Sequence, residues 1–141
     1  MCHPRDGSLW QHRADMADSL GHLPRGPRGI YYATLWSLKG LKAAWLHESS
    51  FRLEVVLFIF AFPLGLWLGH SPVERALLCG ILLPVMAMEL MNSAVEAVIE
   101  RYGAEFHELA GRAKDMGSAA VFVCMMAVLL VWGMILIPRL L

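Results

Sequence analysis

Charge is scarce in this sequence, and neither sign is in excess. Asp, Glu, Lys and Arg make up only 17% of the 141 residues, and 12 basic side chains offset 12 acidic ones. A chain without surplus positive charge lacks the electrostatic footprint of a nucleic-acid binder, and so apolar a composition is not that of a disordered protein. Cysteine is sparse as well. Cys2 lies in a polar tail, while Cys79 and Cys124 each sit inside an apolar run. No Cys-x-x-Cys pair occurs, which argues against a structural zinc site and a disulfide-stapled domain. Also missing are Gly-x-x-x-x-Gly-Lys-Ser/Thr, a glycine-rich kinase loop, His-Glu-x-x-His and Gly-x-Ser-x-Gly. Their absence excludes the familiar soluble nucleotide and hydrolase folds. Apolar side chain is what the sequence has in abundance. The AVILMFWYC set is 57% of the chain. With glycine the total is about 65%, against ~45–50% for a soluble domain. A chain this short has too much surface to hide that fraction from water, so lipid is the expected solvent.

Residues 1–29 differ from the rest. They are polar and carry Pro4, Pro24 and Pro27, without the apolar core of a signal peptide, and read as a disordered extension. From Ile30 to about residue 48, Leu35, Leu38, Leu41 and Leu46 recur at helical spacing with Trp36 and Trp45. Ser37, Lys39, Lys42 and His47 interrupt them, a pattern that predicts an amphipathic helix at the membrane surface. Three apolar runs follow, and they predict spanning helices at about 51–69, 76–100 and 119–138, with Pro63 kinking the first. A polar stretch at 101–118, read as a loop, separates the second from the third. The fold class is therefore an all-α membrane protein, with residues 30–141 as its single domain.

Loop charges orient these spans. Seven Lys and Arg side chains precede or begin the first span (Arg5, Arg13, Arg25, Arg28, Lys39, Lys42 and Arg52), and only Arg75 lies between the first and second. Arg101, Arg112 and Lys114 follow the second. The positive-inside rule then predicts a cytoplasmic N-terminus and 101–118 stretch, with the C-terminus on the opposite face.

The second span carries the chemistry. Glu89, Asn92, Ser93 and Glu96 fall at helical offsets 0, 3, 4 and 7, so they share one stripe that Glu100 continues. Facing lipid, each carboxylate would cost a few kcal/mol, so the stripe is predicted to face protein or water. Polar groups of this kind can simply join helices through hydrogen bonds. Two glutamates one helical repeat apart exceed that need and point to a cation or proton-handling site. Near the end of the span Glu96 can ligate a hard divalent cation, since Mg²⁺ takes one or two carboxylates plus phosphate oxygens and water. Deeper, Glu89 is placed to act as a general base toward a hydroxyl presented by a lipid. The polar stretch adds Glu105, His107 and Glu108, then Arg112, Lys114 and Asp115. A lysine beside an aspartate suits phosphate and metal together, although basic clusters at membrane edges often only anchor.

Three blocks, in order, resemble the small bacterial integral-membrane diacylglycerol kinases. The first is Lys39-Gly40-Leu41-Lys42-Ala43-Ala44-Trp45 with Glu48, and the second is Glu89-Leu90-Met91-Asn92-Ser93-Ala94-Val95-Glu96. The third runs from Glu108 to Val121 through Lys114-Asp115-Met116-Gly117-Ser118. The resemblance implies ATP-dependent phosphorylation of the sn-3 hydroxyl of 1,2-diacylglycerol to phosphatidic acid at the inner membrane. It also implies a homotrimer with active sites shared between neighbours. By the same resemblance Glu89 is the catalytic base, Glu48 and Glu96 hold Mg²⁺, and Asn92 organises the site. Trp36, Glu48, Glu96, Glu105, His107, Lys114 and Asp115 are nucleotide contacts. The lipid side is given by Trp45, Phe51, Arg52, Glu54, Trp67, Arg75, Glu89 and Ser118. The chain departs from the family pattern at Gly29, Trp36, Gly69 and Glu100, where arginine, tyrosine, an acidic residue and aspartate are usual.

Two other readings compete. An undecaprenol kinase of the same superfamily shares the chemistry and differs in the lipid, but its members tend to lack the pattern found at 114–118. A cation- or proton-coupled transporter subunit would also keep carboxylates in the membrane, yet it leaves 105–118 unexplained.

Overall fold

The computed structural model describes residues 27–101, 108–139 and 141, and among them every regular element is helical. We label them α1 (Pro27–His47), α2 (Ser49–Leu68), α3 (Pro72–Gly80), α4 (Leu82–Arg101) and α5 (Glu108–Leu136), with a 3₁₀ turn at Ile137–Arg139. The extension expected at 1–29 lies outside the described residues up to position 26. Among the described residues, those up to Gly40 and those from Leu41 onward belong to two separate units, with the boundary inside α1. In the first unit Tyr31 and Tyr32 meet edge-on at 5.7 Å, and Tyr32 stacks tilted on Trp36 at 6.3 Å. Thr34 and Ser37 turn their hydroxyls back to the carbonyls of Ile30 and Ala33.

Three segments of the second unit are long and apolar enough to cross a membrane: Ser49–Leu68, Pro72–Arg101 and Glu108–Arg139, with mean hydropathy of 1.9, 1.7 and 2.8. The first continues through Pro63 without ending. The second was expected as one helix, but the structure interrupts it at Ile81. Pro84 is the physical reason, because it has no N–H to offer the carbonyl of Gly80 four residues back and its ring crowds that carbonyl. The third corrects the reading of 101–118 as a loop. Residues 108–118 are the first three turns of α5. Ala110, Ala113 and Lys114 are good helix formers, and an acidic first-turn residue, Glu108, complements the helix dipole. The change in polarity near residue 118 falls inside this helix and does not mark its start. At 29 residues α5 is about 44 Å long, longer than the ~30 Å hydrocarbon layer.

Packing is closest between α4 and α5, with α2 lying against both α3 and α4. Near the α2–α3 turn a Cβ on Gly65 would lie 3.2 Å from both Leu78 Cβ and Cys79 Sγ, so the absent side chain lets α2 reach α3. The turn itself is closed by a capping box. Ser71 Oγ accepts the Glu74 N–H at 3.2 Å, and the Glu74 carboxylate accepts the Ser71 N–H, with Pro72 in the first helical position. Among the described residues the buried core of one chain is small: Ala44, Phe51, Leu78, Cys79 and Val121, joined by two polar residues, Glu89 and Ser93. Most of the apolar spanning surface stays uncovered within a single chain, Trp67 and Phe60 among the most exposed.

Candidate active site

A carboxylate is among the best-buried groups of the second unit. Glu89 keeps only 5% of its surface exposed, in the middle of α4. Its electrostatic neighbours are three further glutamates: Glu48 at the start of α2, Glu54 one and a half turns along α2, and Glu96 two turns along α4. The Ser50 hydroxyl, in the first turn of α2, lies within hydrogen-bonding reach of the Glu89 carboxylate. Helix geometry dictates this convergence. Residues 89, 92, 93 and 96 share one face of α4, which turns toward α2 and α5.

Each partner adds a specific feature. Glu48 occupies the N-cap of α2 in an extended conformation (φ −107°, ψ 114°), yet its side chain makes no capping hydrogen bond. A cap residue normally spends its side-chain oxygen on the first helical N–H groups, so this carboxylate stays available for another partner. Glu54 has a buried Oε2 without a hydrogen-bond partner and borders an apolar cavity of about 250 Å³ between α2, α4 and α5. Phe58, Val85, Met86 and Met125 are among the cavity walls. Asn92 likewise has a buried, unpartnered Oδ1. Glu96 meets the Lys114 ammonium of α5 at 3.6 Å, a loose and partly exposed pair that contributes little to stability by itself.

Among the described residues no group of three or more His, Cys, Asp or Glu side chains is arranged as a ready-made metal cage. That does not oppose a magnesium-type ion. Such an ion keeps several waters and is usually held by one or two carboxylates plus the phosphates of its substrate. Carboxylates crowded around Glu89, one of them an uncommitted cap residue, fit this donor chemistry.

The expected site residues sort into three groups. Glu48, Glu54, Glu89, Asn92, Glu96 and Lys114 come together. Asp115 and Ser118 follow Lys114 on α5, both exposed. Trp45 and Arg52 flank Glu48, and the Arg52 guanidinium donates to the Trp45 and Leu46 carbonyls, bracing the α1–α2 junction. Phe51 is buried beneath that junction. Trp67 and Arg75 are not brought in. They belong to the α2–α3 turn, about 20 Å along the helix axis from Glu54 at 1.5 Å per residue. There Arg75 Nε donates to the Gly69 carbonyl at 2.9 Å. Trp36 lies in the first unit, and Glu105 and His107 fall outside the described residues. Sequence reasoning missed Ser50, which had no periodic signal.

Comparison with known proteins adds an independent line. Residues 35–136 match the family model described as prokaryotic diacylglycerol kinase. The chain is similar to the diacylglycerol kinase of Escherichia coli K12, 45% identical over 107 residues, covering 76% of this chain and 88% of the relative. With the diacylglycerol kinase of Haemophilus influenzae it is 50% identical over 104 residues, 74% and 88% of the two chains. With that of Pseudomonas aeruginosa it is 41% identical over 112 residues, 79% and 91% of the two chains.

Proposed function

This chain belongs to the prokaryotic diacylglycerol kinase family, and we propose that it transfers the γ-phosphoryl group of ATP to the sn-3 hydroxyl of 1,2-diacylglycerol. The products are phosphatidic acid and ADP. One observation carries the reading: a buried Glu89, in a helix otherwise fit for lipid, ringed by three more carboxylates. Packing alone does not call for such a concentration of negative charge.

In this reading the lipid hydroxyl approaches Glu89, whose carboxylate takes its proton as the hydroxyl oxygen bonds to the γ-phosphorus and the bond to ADP breaks. Ser50 orients that carboxylate. Lys114 neutralises phosphate charge from α5, with Asp115 beside it and Asn92 organising the space between. Glu48 and Glu96 would hold Mg²⁺, which would supply screening of the triphosphate charge. Phosphoryl transfer asks a protein chiefly for positioning and charge neutralisation, so no phosphate-binding glycine loop is needed. The apolar cavity beside Glu54 suits a lipid substrate better than a soluble one. Trp36, Glu105 and His107 are assigned to the nucleotide, and Trp45, Phe51, Arg52, Trp67, Arg75 and Ser118 to the lipid side, through the family resemblance.

The enzyme acts as a homotrimer with shared sites in the bacterial inner membrane, N-terminus in the cytoplasm and C-terminus outside. The loop charges support the orientation, and the trimer with shared sites is carried over through the family resemblance. The test is a radiolabelled ATP assay on detergent-solubilised protein with Mg²⁺ and, in parallel, dioleoylglycerol or undecaprenol. Label is expected in phosphatidic acid. Label in the polyprenol alone would overturn the substrate assignment, and no ATP-dependent lipid product would overturn the reaction.

A further inference from the structure

Asn92 and Gly117 face each other where α4 meets α5. A Cβ placed on Gly117 would overlap the Asn92 side-chain oxygen. The other atoms of Asn92 lie farther from that position, Cγ at 3.2 Å and Cα at 3.7 Å. The α4 backbone is thus already at ordinary van der Waals distance from a side chain at 117, and alanine there does not force the helices apart. What it forbids is the present orientation of the Asn92 amide.

The fold gains nothing evident from that orientation. Asn92 Oδ1 is buried and accepts no hydrogen bond, a state that works against stability. The oxygen lies one turn from Glu89 and one turn from Glu96 on the same face of α4. On the opposite helix, Lys114 sits one turn before Gly117 and reaches Glu96. An acceptor left open in the middle of this row is available to a donor that arrives with the substrates, other than the lipid hydroxyl whose proton goes to Glu89.

Resting on the site described above, we infer that Gly117 is a positioning residue: its missing side chain holds the Asn92 amide in the carboxylate row with Oδ1 open to a substrate donor. Gly117 touches no reacting atom and acts only through Asn92.

The test is a double-mutant cycle of Gly117→Ala and Asn92→Ala on the full detergent-solubilised chain. It reads kcat and KM for dioleoylglycerol and MgATP together with thermal unfolding. Gly117→Ala is expected to lower kcat about tenfold to a hundredfold, the scale of an ångström-sized misplacement, at a near wild-type melting temperature. In the Asn92→Ala background the same change is expected to cost less than about twofold, because its target is gone. Wild-type kcat in Gly117→Ala alongside a slow Asn92→Ala overturns the inference and leaves the site reading intact. An equal loss in both backgrounds also overturns it. Wild-type turnover by Asn92→Ala removes the site reading beneath it. Should Gly117→Ala fail to assemble, Asn92→Ser decides with and without alanine at 117. Its shorter side chain leaves room for the Cβ, so equal turnover is expected and a further loss overturns the inference.

Discussion

Around the α2–α3 turn, polar groups find their partners inside the chain. Glu74 accepts the N–H groups of His70 and Ser71 and the Arg139 guanidinium, which also donates to the Leu68 carbonyl at 2.6 Å. The Trp132 indole donates to the Leu78 carbonyl at 3.1 Å beside the break in the second span, and the Cys79 thiol donates to the Phe62 carbonyl. At the other end four glutamates crowd together with one loose ion pair. Both buried side-chain oxygens that lack a partner among the described residues, Glu54 Oε2 and Asn92 Oδ1, belong to that end. Both ends carry charge, so composition does not separate them. They differ in where the partners come from. Folding completes the turn end, whereas the carboxylate end keeps unmet hydrogen-bonding and electrostatic demand, which molecules that arrive after folding can answer.

The largest effect should come from removing the proposed base. Glu89→Gln keeps size and removes the proton acceptor, and turnover is expected to fall by about a hundredfold to ten-thousandfold. Assembly and melting temperature should hold or improve, since a buried acidic group that interacts with three other glutamates becomes a neutral amide. Full turnover by the purified variant would erase the distinction between the two ends. Glu96→Gln should come next. Its predicted signature is an Mg²⁺ requirement shifted upward about tenfold or more, measured by titrating the metal at fixed ATP, at a rate that saturating metal partly restores. An unchanged titration would leave Glu96 as only the partner of Lys114.

Much of this contrast was legible in residue spacing, and what was not has identifiable causes. The stripe at 89, 92, 93 and 96 could be read because helix periodicity alone decides which residues share a face. The meeting of that stripe with Glu48, Ser50 and Glu54 could not, because it depends on how α2 approaches α4, which no local pattern encodes. The break at Ile81 escaped because the apolar run passes through Pro84 without a change in hydropathy. The helical start of α5 escaped for the opposite reason: a change in polarity at 118 looked like the end of an element. At the turn end, Ser71-Pro72-Val73-Glu74 carries a capping-box signature in four residues, yet nothing local says that Arg139, two spans along the chain, supplies the third partner of Glu74.

Gly65 tests the turn end by packing. A Cβ there already approaches Leu78 and Cys79 at 3.2 Å, so Gly65→Leu must push α2 off α3. Overpacking of this kind costs about 1–3 kcal/mol. The melting temperature should fall clearly, while kcat per folded molecule stays near wild type because the carboxylate row lies at the other end. A selective loss of kcat with normal stability would mean that the two ends are mechanically coupled.

The smallest expected effect belongs to Arg139. Its guanidinium joins the end of the last span to Glu74 and to the Leu68 carbonyl, but both side chains of the pair keep about a quarter to a third of their surface exposed (25% and 31%). Solvent at such an exposure weakens an ion pair, and its separation from the backbone is already fixed by the capping box, so losing it leaves Glu74 with two of its partners. Arg139→Gln should therefore lower the melting temperature by less than Gly65→Leu does. The gap from wild type should narrow as salt rises, since screening weakens in the wild type an attraction that the variant already lacks. Turnover should not change. If this exchange at the far end of α5 depressed kcat without lowering stability, the closed polar network of the turn would have to be counted as part of the catalytic apparatus, and the division between an end completed by folding and an end completed by ligand would fail.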